Sequence, residues 1–355
     1  MKSMKEKVAD LTGKEIFKKA VKLEKTERVP VMILSGGVWA YNQSGRSLQD
    51  SFDMAPEESA AYWIRTNEKI QSDLIWCAAG CNHLALRSLG AKTDFSVCGA
   101  AATTQPFIEK PSDVDRLDIS ALEKDEGILK MVESAKIMKE KIGDQTMLAI
   151  SQWGPMTLAE LMIGATPFMI MLRKDPEGVK YMMDFTSEVC VKYYQMFVDA
   201  GAEHISQAEP CASGDMISRK MFEKIALPYL QKVNKQMDSS VFSKMIHICG
   251  NTNKILEVLP ETGADMFSMD YKVETAYARE ILDGKMAFAG QLDPSAVMLM
   301  SDTATVKAKA ESCIENAQWE KGGYILMPGC DLAPATPLEN IQTMVQTAHQ
   351  YQQKV

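Results

Sequence analysis

Eight short apolar runs recur along the chain, most of them followed by a stretch of helical periodicity, and that alternation limits the fold more than any other feature. The runs are VPVMIL around residues 30 to 34, SDLIWC at 72–77, MLAISQ at 147–152, EHISQAE at 203–209, SKMIHIC at 243–249, DMFSMD at 265–270, KMAFAGQ at 285–291 and GYILMPGC at 323–330. Segments such as PEGVKYMMDFTSEVCVKYYQMFVDAGA and SDTATVKAKAESCIENAQWEKGG lie between them. Repeated β-then-α units imply parallel strands with right-handed crossovers, and eight of them predict a closed (β/α)8 TIM barrel of α/β class. An open doubly wound sheet is the competing arrangement. The 355 residues are read as a single barrel domain over 1–355, with residues 1–28 as an N-terminal helical extension and the longer stretches before the second and third runs as insertions.

Composition excludes several classes of function. A hydrophobic fraction of 46% supports a large core, and a formal charge of −8 without any run of Lys and Arg interleaved with aromatics argues against nucleic acid as a partner. No apolar stretch has the length of a membrane span, and the charged, amphipathic start has no signal-peptide character, so a cytoplasmic protein with no membrane partner is expected. Eight cysteines, at 77, 81, 98, 190, 211, 249, 313 and 330, are too scattered for a disulfide scaffold and read as thiols or metal ligands. The 25 methionines lie mostly singly in strand and helix patterns, which is adaptable core filling.

On the barrel reading, the polar residues that follow the apolar runs gather at the C-terminal face, where such barrels place their chemistry. His247 and Cys249 are two apart in one strand and therefore share a face, while Cys330 ends the eighth run. A core histidine beside an inert thiol is the ordinary reading of His-x-Cys. One His and two thiolates converging across a barrel mouth instead make the ligand set of a catalytic zinc with its fourth position open. Glu209, at the end of the fourth run, is a candidate exchangeable ligand or a carboxylate orienting the metal-bound His. Asp270 and Gln291 end neighbouring runs and are weaker versions of the same case. Cys211, Gln152, Trp153 and His83 are candidate substrate-binding residues. Cys77, Cys81 and His83 form C-x3-C-x-H, which reads more readily as unrelated thiols than as a second metal cluster.

HICGNTNKIL followed by LMPGCDLAPATPLENI resembles the zinc signature of the methylcobalamin:coenzyme M methyltransferases, a branch of the uroporphyrinogen decarboxylase superfamily of (β/α)8 barrels. KTERVPV, GPMTLAELM and DAGAEHISQAEPCASGDMIS extend the likeness over most of the chain. The resemblance implies Zn2+ at His247, Cys249 and Cys330 and methyl transfer between a corrinoid protein and a thiol such as coenzyme M. A thiol of pKa about 8.5 is only about 3% ionised at pH 7, and coordination to zinc deprotonates it outright. The converse direction, from a methylated or methoxylated donor to the corrinoid, suits the aromatic Trp76 and Trp153. The decarboxylase itself fits less well. It holds a tetrapyrrole with an arginine-rich segment after the first strand and an Asp beyond the second, whereas SGGVWAYNQSGRSL offers only Arg46 and Asp73 precedes its strand. The sequence lacks a D-x-H-x-x-G cobalamin-ligating motif, so the corrinoid is expected on a partner protein. The oligomeric state is left open.

Overall fold

The computed structural model describes residues 11–52, 54–95 and 101–351. Residues 1–10 of the expected extension, and Cys98, lie outside the described residues. Among the described residues nine strands follow in chain order: β1 (Leu74–Trp76), β2 (Thr93–Phe95), β3 (Ala101–Thr103), β4 (Met147–Trp153), β5 (His204–Ala208), β6 (Ser243–Ile248), β7 (Met266–Met269), β8 (Ala287–Leu292) and β9 (Tyr324–Pro328). Seven of them form one sheet in the order β1-β4-β5-β6-β7-β8-β9, and every pair in it is parallel. β2 and β3 are an antiparallel hairpin inside the insertion before β4.

The expected first strand is reduced to one bridging residue, Val31, paired in parallel with Leu326 of β9. Around it Met32 N donates to Leu326 O at 3.0 Å, Leu326 N to Pro30 O at 2.9 Å, and Asp73 N to Val31 O at 2.9 Å. This segment therefore bonds to both ends of the seven-stranded sheet and closes the ring. It stays short for local reasons: Pro30 has no N–H to give a ladder, and Ser35 and Gly36 turn the chain through left-handed φ of 49° and 72°. Asp73 fastens the joint. Its carboxylate accepts from Val31 N at 2.9 Å and from Arg28 at 2.5 and 2.8 Å.

The helix Gly13–Val21 starts with a capping box between Thr12 and Glu15. It buries Ile16, Phe17 and Ala20, and Phe17 meets His204 edge-on at 5.3 Å. The helices Pro155–Ile163, Ala165–Lys174 and Pro176–Asp199 follow β4 in succession. Among the described residues no single helix is long and apolar enough to cross a membrane. Met156, Met182, Met245, Met266 and Met327 have no exposed surface, as core filling predicts.

Alternation along the strands fixes which side chains face inward. Cys249, just beyond β6, touches Cys330, just beyond β9, although β7 and β8 stand between them, so the contact crosses the barrel interior. Met245, His247 and Cys249 therefore point inward. Through the parallel register so do Ser206 and Ala208 of β5 and Ser151 and Trp153 of β4.

Candidate metal centre

His247 is buried and the two cysteines are partly exposed, and among the described residues they are the one group of His, Cys, Asp or Glu close enough to share a metal ion. Nε2 of His247 lies 3.0 Å from Cys249 Sγ and 3.9 Å from Cys330 Sγ, and the two sulfurs are 3.5 Å apart. Tetrahedral ligands about 2.3 Å (sulfur) and about 2.0 to 2.1 Å (nitrogen) from zinc stand roughly 3.5 to 3.8 Å from one another. The three separations bracket that range, so the donor set fits zinc in both kind and spacing. The hydrogen bond from Cys330 holds the Cys249 thiol below the ordinary thiol range, while the same bond and burial push Cys330 up.

The ring of His247 is aimed by a residue that the sequence did not single out. Ser268 of β7 places Oγ 2.8 Å from His247 Nδ1 and donates its own proton toward Met327 Sδ at 3.7 Å. The hydroxyl oxygen is then left to accept from Nδ1–H, and the lone pair of Nε2 faces the two sulfurs.

The Glu209 carboxylate is bonded to a helix start and not to the cluster. It accepts from Thr157 N at 2.6 Å, Thr157 Oγ1 at 2.5 Å and Met156 N at 3.1 Å, so it caps the helix Pro155–Ile163 rather than orienting His247. Gly154 makes this approach possible, because a Cβ there would come within 2.1 Å of Glu209 Oε2. Burial pushes the Glu209 carboxyl up to about 7 against the pull of those hydrogen bonds.

A family model described as Uroporphyrinogen decarboxylase (URO-D) matches residues 12–351. The chain belongs to the uroporphyrinogen decarboxylase family. Within the family it lies on the methyltransferase branch. It is 26% identical over 359 residues to the "Methylcobamide:CoM methyltransferase MtbA" of Methanosarcina acetivorans, covering 97% of this chain and 99% of MtbA. To the "Methylcobamide:CoM methyltransferase MtaA" of Methanosarcina barkeri it is 30% identical over 222 residues, 62% of this chain and 63% of MtaA. A solved "methyltransferase from Methanosarcina mazei" superposes with a TM-score of 0.83 at 25% identity, covering 95% of this chain and 98% of that one.

The other sequence candidates of this family member are dispersed. Asp270 accepts from Gly250 N at 2.9 Å and from Lys272 N at 3.0 Å, which ties the loop after Cys249 to the loop after β7. Gln291 donates to Val273 O at 2.7 Å and braces that same loop. Asp331, beside Cys330, accepts from Gly36 N at 2.7 Å and Leu332 N at 2.9 Å, and burial pushes its carboxyl up to about 6. Trp153 faces inward and donates from Nε1 to His83 Nε2 at 3.3 Å, while His83 Nδ1 meets Thr103 Oγ1 at 3.0 Å. Burial holds His83 neutral, with its pKa lowered to about 4. Gln152 corrects the expectation: between inward Ser151 and Trp153 it must point outward, and its Oε1 accepts from its neighbour Trp153 N at 2.7 Å. Cys211 lies 3.7 Å from Glu160 and is pushed up to about 12 by burial and the carboxylates of Glu160 and Glu209. Cys77 and Cys81 are buried thiols, each raised to about 12 by burial. Arg46 pairs with Glu58 at 2.8 Å, and Asp73 belongs to the barrel joint.

Proposed function

We propose that this chain is a zinc-dependent corrinoid methyltransferase that moves a methyl group from a corrinoid protein to a small thiol. The convergence of His247 Nε2, Cys249 Sγ and Cys330 Sγ across the barrel interior carries the reading. The named activities of the MtbA and MtaA relatives support it. His247, Cys249 and Cys330 would hold the metal, with the fourth position open to the mouth. Zinc bound there supplies a Lewis acid that keeps a thiol ionised at neutral pH. The protein's own part is to set up that position. Ser268 would fix the tautomer and angle of His247, and both thiols would give up their protons on loading.

Metal analysis of the purified protein should give about one zinc per chain, and Cys249→Ala and Cys330→Ala should each lose tight binding. With free methylcobalamin and a panel of thiols, the zinc-loaded protein should bleach the methyl-cobalt absorbance. Full metal retention in both variants, or turnover of uroporphyrinogen without metal, would sink the proposal.

A further inference from the structure

We propose that Cys249 and Cys330 are also a redox pair, which a hydroperoxide closes to a disulfide in the metal-free protein and a dithiol reopens. The pairing stands on geometry alone. That it switches methyl transfer off rests on the reading of the cluster as the zinc site.

The two sulfurs meet because the backbone brings them together. Cys249 and Cys330 lie 81 positions apart in the chain, beyond the ends of strands separated by β7 and β8, and their Sγ atoms are 3.5 Å apart. The loop after β7 is clamped between them. The buried Asp270 carboxylate accepts at 2.9 Å from Gly250 N, next to Cys249. Gly329, next to Cys330, lies so close to the Asp270–Tyr271 peptide that a Cβ there would come within 2.5 Å of Tyr271 N. Both cysteine loops thus rest on one short stretch of main chain, which holds the sulfurs in contact. A disulfide needs about 2.05 Å between sulfurs, roughly 1.5 Å less than this separation, a gap that rotation about the two Cα–Cβ bonds spans.

Exposure separates this pair from the other cysteines. Cys77, Cys81 and Cys190 are buried, Cys211 lies against Glu160, and among the described residues no other two cysteine sulfurs are in contact. Cys249 and Cys330 are both partly exposed, so a small hydroperoxide reaches them from the mouth. One sulfur attacks a peroxide oxygen and the O–O bond breaks. The leaving hydroxide takes the thiol proton as water, which leaves a sulfenic acid. The second sulfur then attacks the first, the S–O bond breaks, and that hydroxide leaves with the second thiol proton as another water. Two electrons have passed from the sulfurs to the peroxide. A disulfide offers zinc neither of the thiolates it would need, so metal and disulfide exclude each other.

A thiol count on the intact chain tests this without turnover. Metal-free protein treated with hydrogen peroxide and then unfolded should show two fewer than its eight thiols, with the Cys249 and Cys330 peptides joined. Dithiothreitol, itself oxidised to a cyclic disulfide, should restore all eight. In Cys330→Ser no disulfide should form, and Cys249 should instead carry a sulfenic acid that dimedone traps. Protein loaded with zinc beforehand, its metal content checked, should keep eight thiols under the same treatment. Retention of all eight by the metal-free protein, a disulfide through any other cysteine, sulfinic acid in place of the disulfide, or the same disulfide formed as fast with zinc bound overturns the proposal. Formation of the Cys249–Cys330 disulfide in a protein that takes up no zinc supports the pair while removing the zinc reading.

Discussion

Ser268 carries more of the proposed metal centre's geometry than its chemistry announces. Without its hydroxyl, Nδ1 of His247 has no fixed partner, so the ring loses both its preferred tautomer and its angle to the two sulfurs. Ser268→Ala should therefore weaken zinc affinity about 10- to 100-fold while leaving the fold intact, and competition with a chelator measures it. Unchanged affinity would show that packing alone aims the ring. The three proposed ligands were legible in the sequence because His and Cys are chemically specific and the strand period places them on one face. Ser268 was not, since nothing about a serine within DMFSMD says which neighbouring residue its register will reach. Gln152 shows the converse failure: its type suggested a binding role, but its parity puts it on the outer face. Glu209 was read from its position at the end of an apolar run. Its partner is a helix start more than fifty residues earlier in the chain, and spacing does not encode such a cap.

Among the elements, the segment around Val31 is the least regular and the most dependent on side chains. It is joined to β1 by Asp73 N and by the Asp73 carboxylate, which is almost fully buried and paired with a partly exposed Arg28. Asp73→Ala would leave Val31 N unpaired and Arg28 without its partner. A loss of roughly 3 kcal/mol in unfolding free energy is expected, the low end for breaking a buried pair because Arg28 keeps some water. Chemical denaturation measures it, and a loss below about 1 kcal/mol would show that the backbone bonds suffice. Seven runs became strands of the sheet because each is a short apolar stretch bounded by turn residues. The first fell short because Pro30 and the left-handed turn at Ser35 interrupt the same apolar pattern, and hydrophobicity does not register lost donors. The β2–β3 hairpin had no signal of this kind, being half-buried on both strands.

At the scale of the whole molecule, the proposed chemistry sits at one end of the ring, and on that proposal a protein-borne corrinoid would reach it from there. Crosslinks to a cognate corrinoid protein should map to the loops after β5, β6 and β7, where Asp215 bonds to both Asn251 N and Lys272. Crosslinks confined to the opposite end, around Thr12 and Gln145, would place the partner wrongly. The single-residue bridge at Val31 has a further consequence. A hoop is only as stiff as its seam, and here the seam adjoins β9, the stave that leads into Cys330. Loosening at that joint would move one sulfur while β6 keeps the other two donors in place. Native-state hydrogen exchange should accordingly find the amides of Met32 and Leu326 opening well before those of Gln207 and Ile246, and binding of zinc should slow the first pair more than the second.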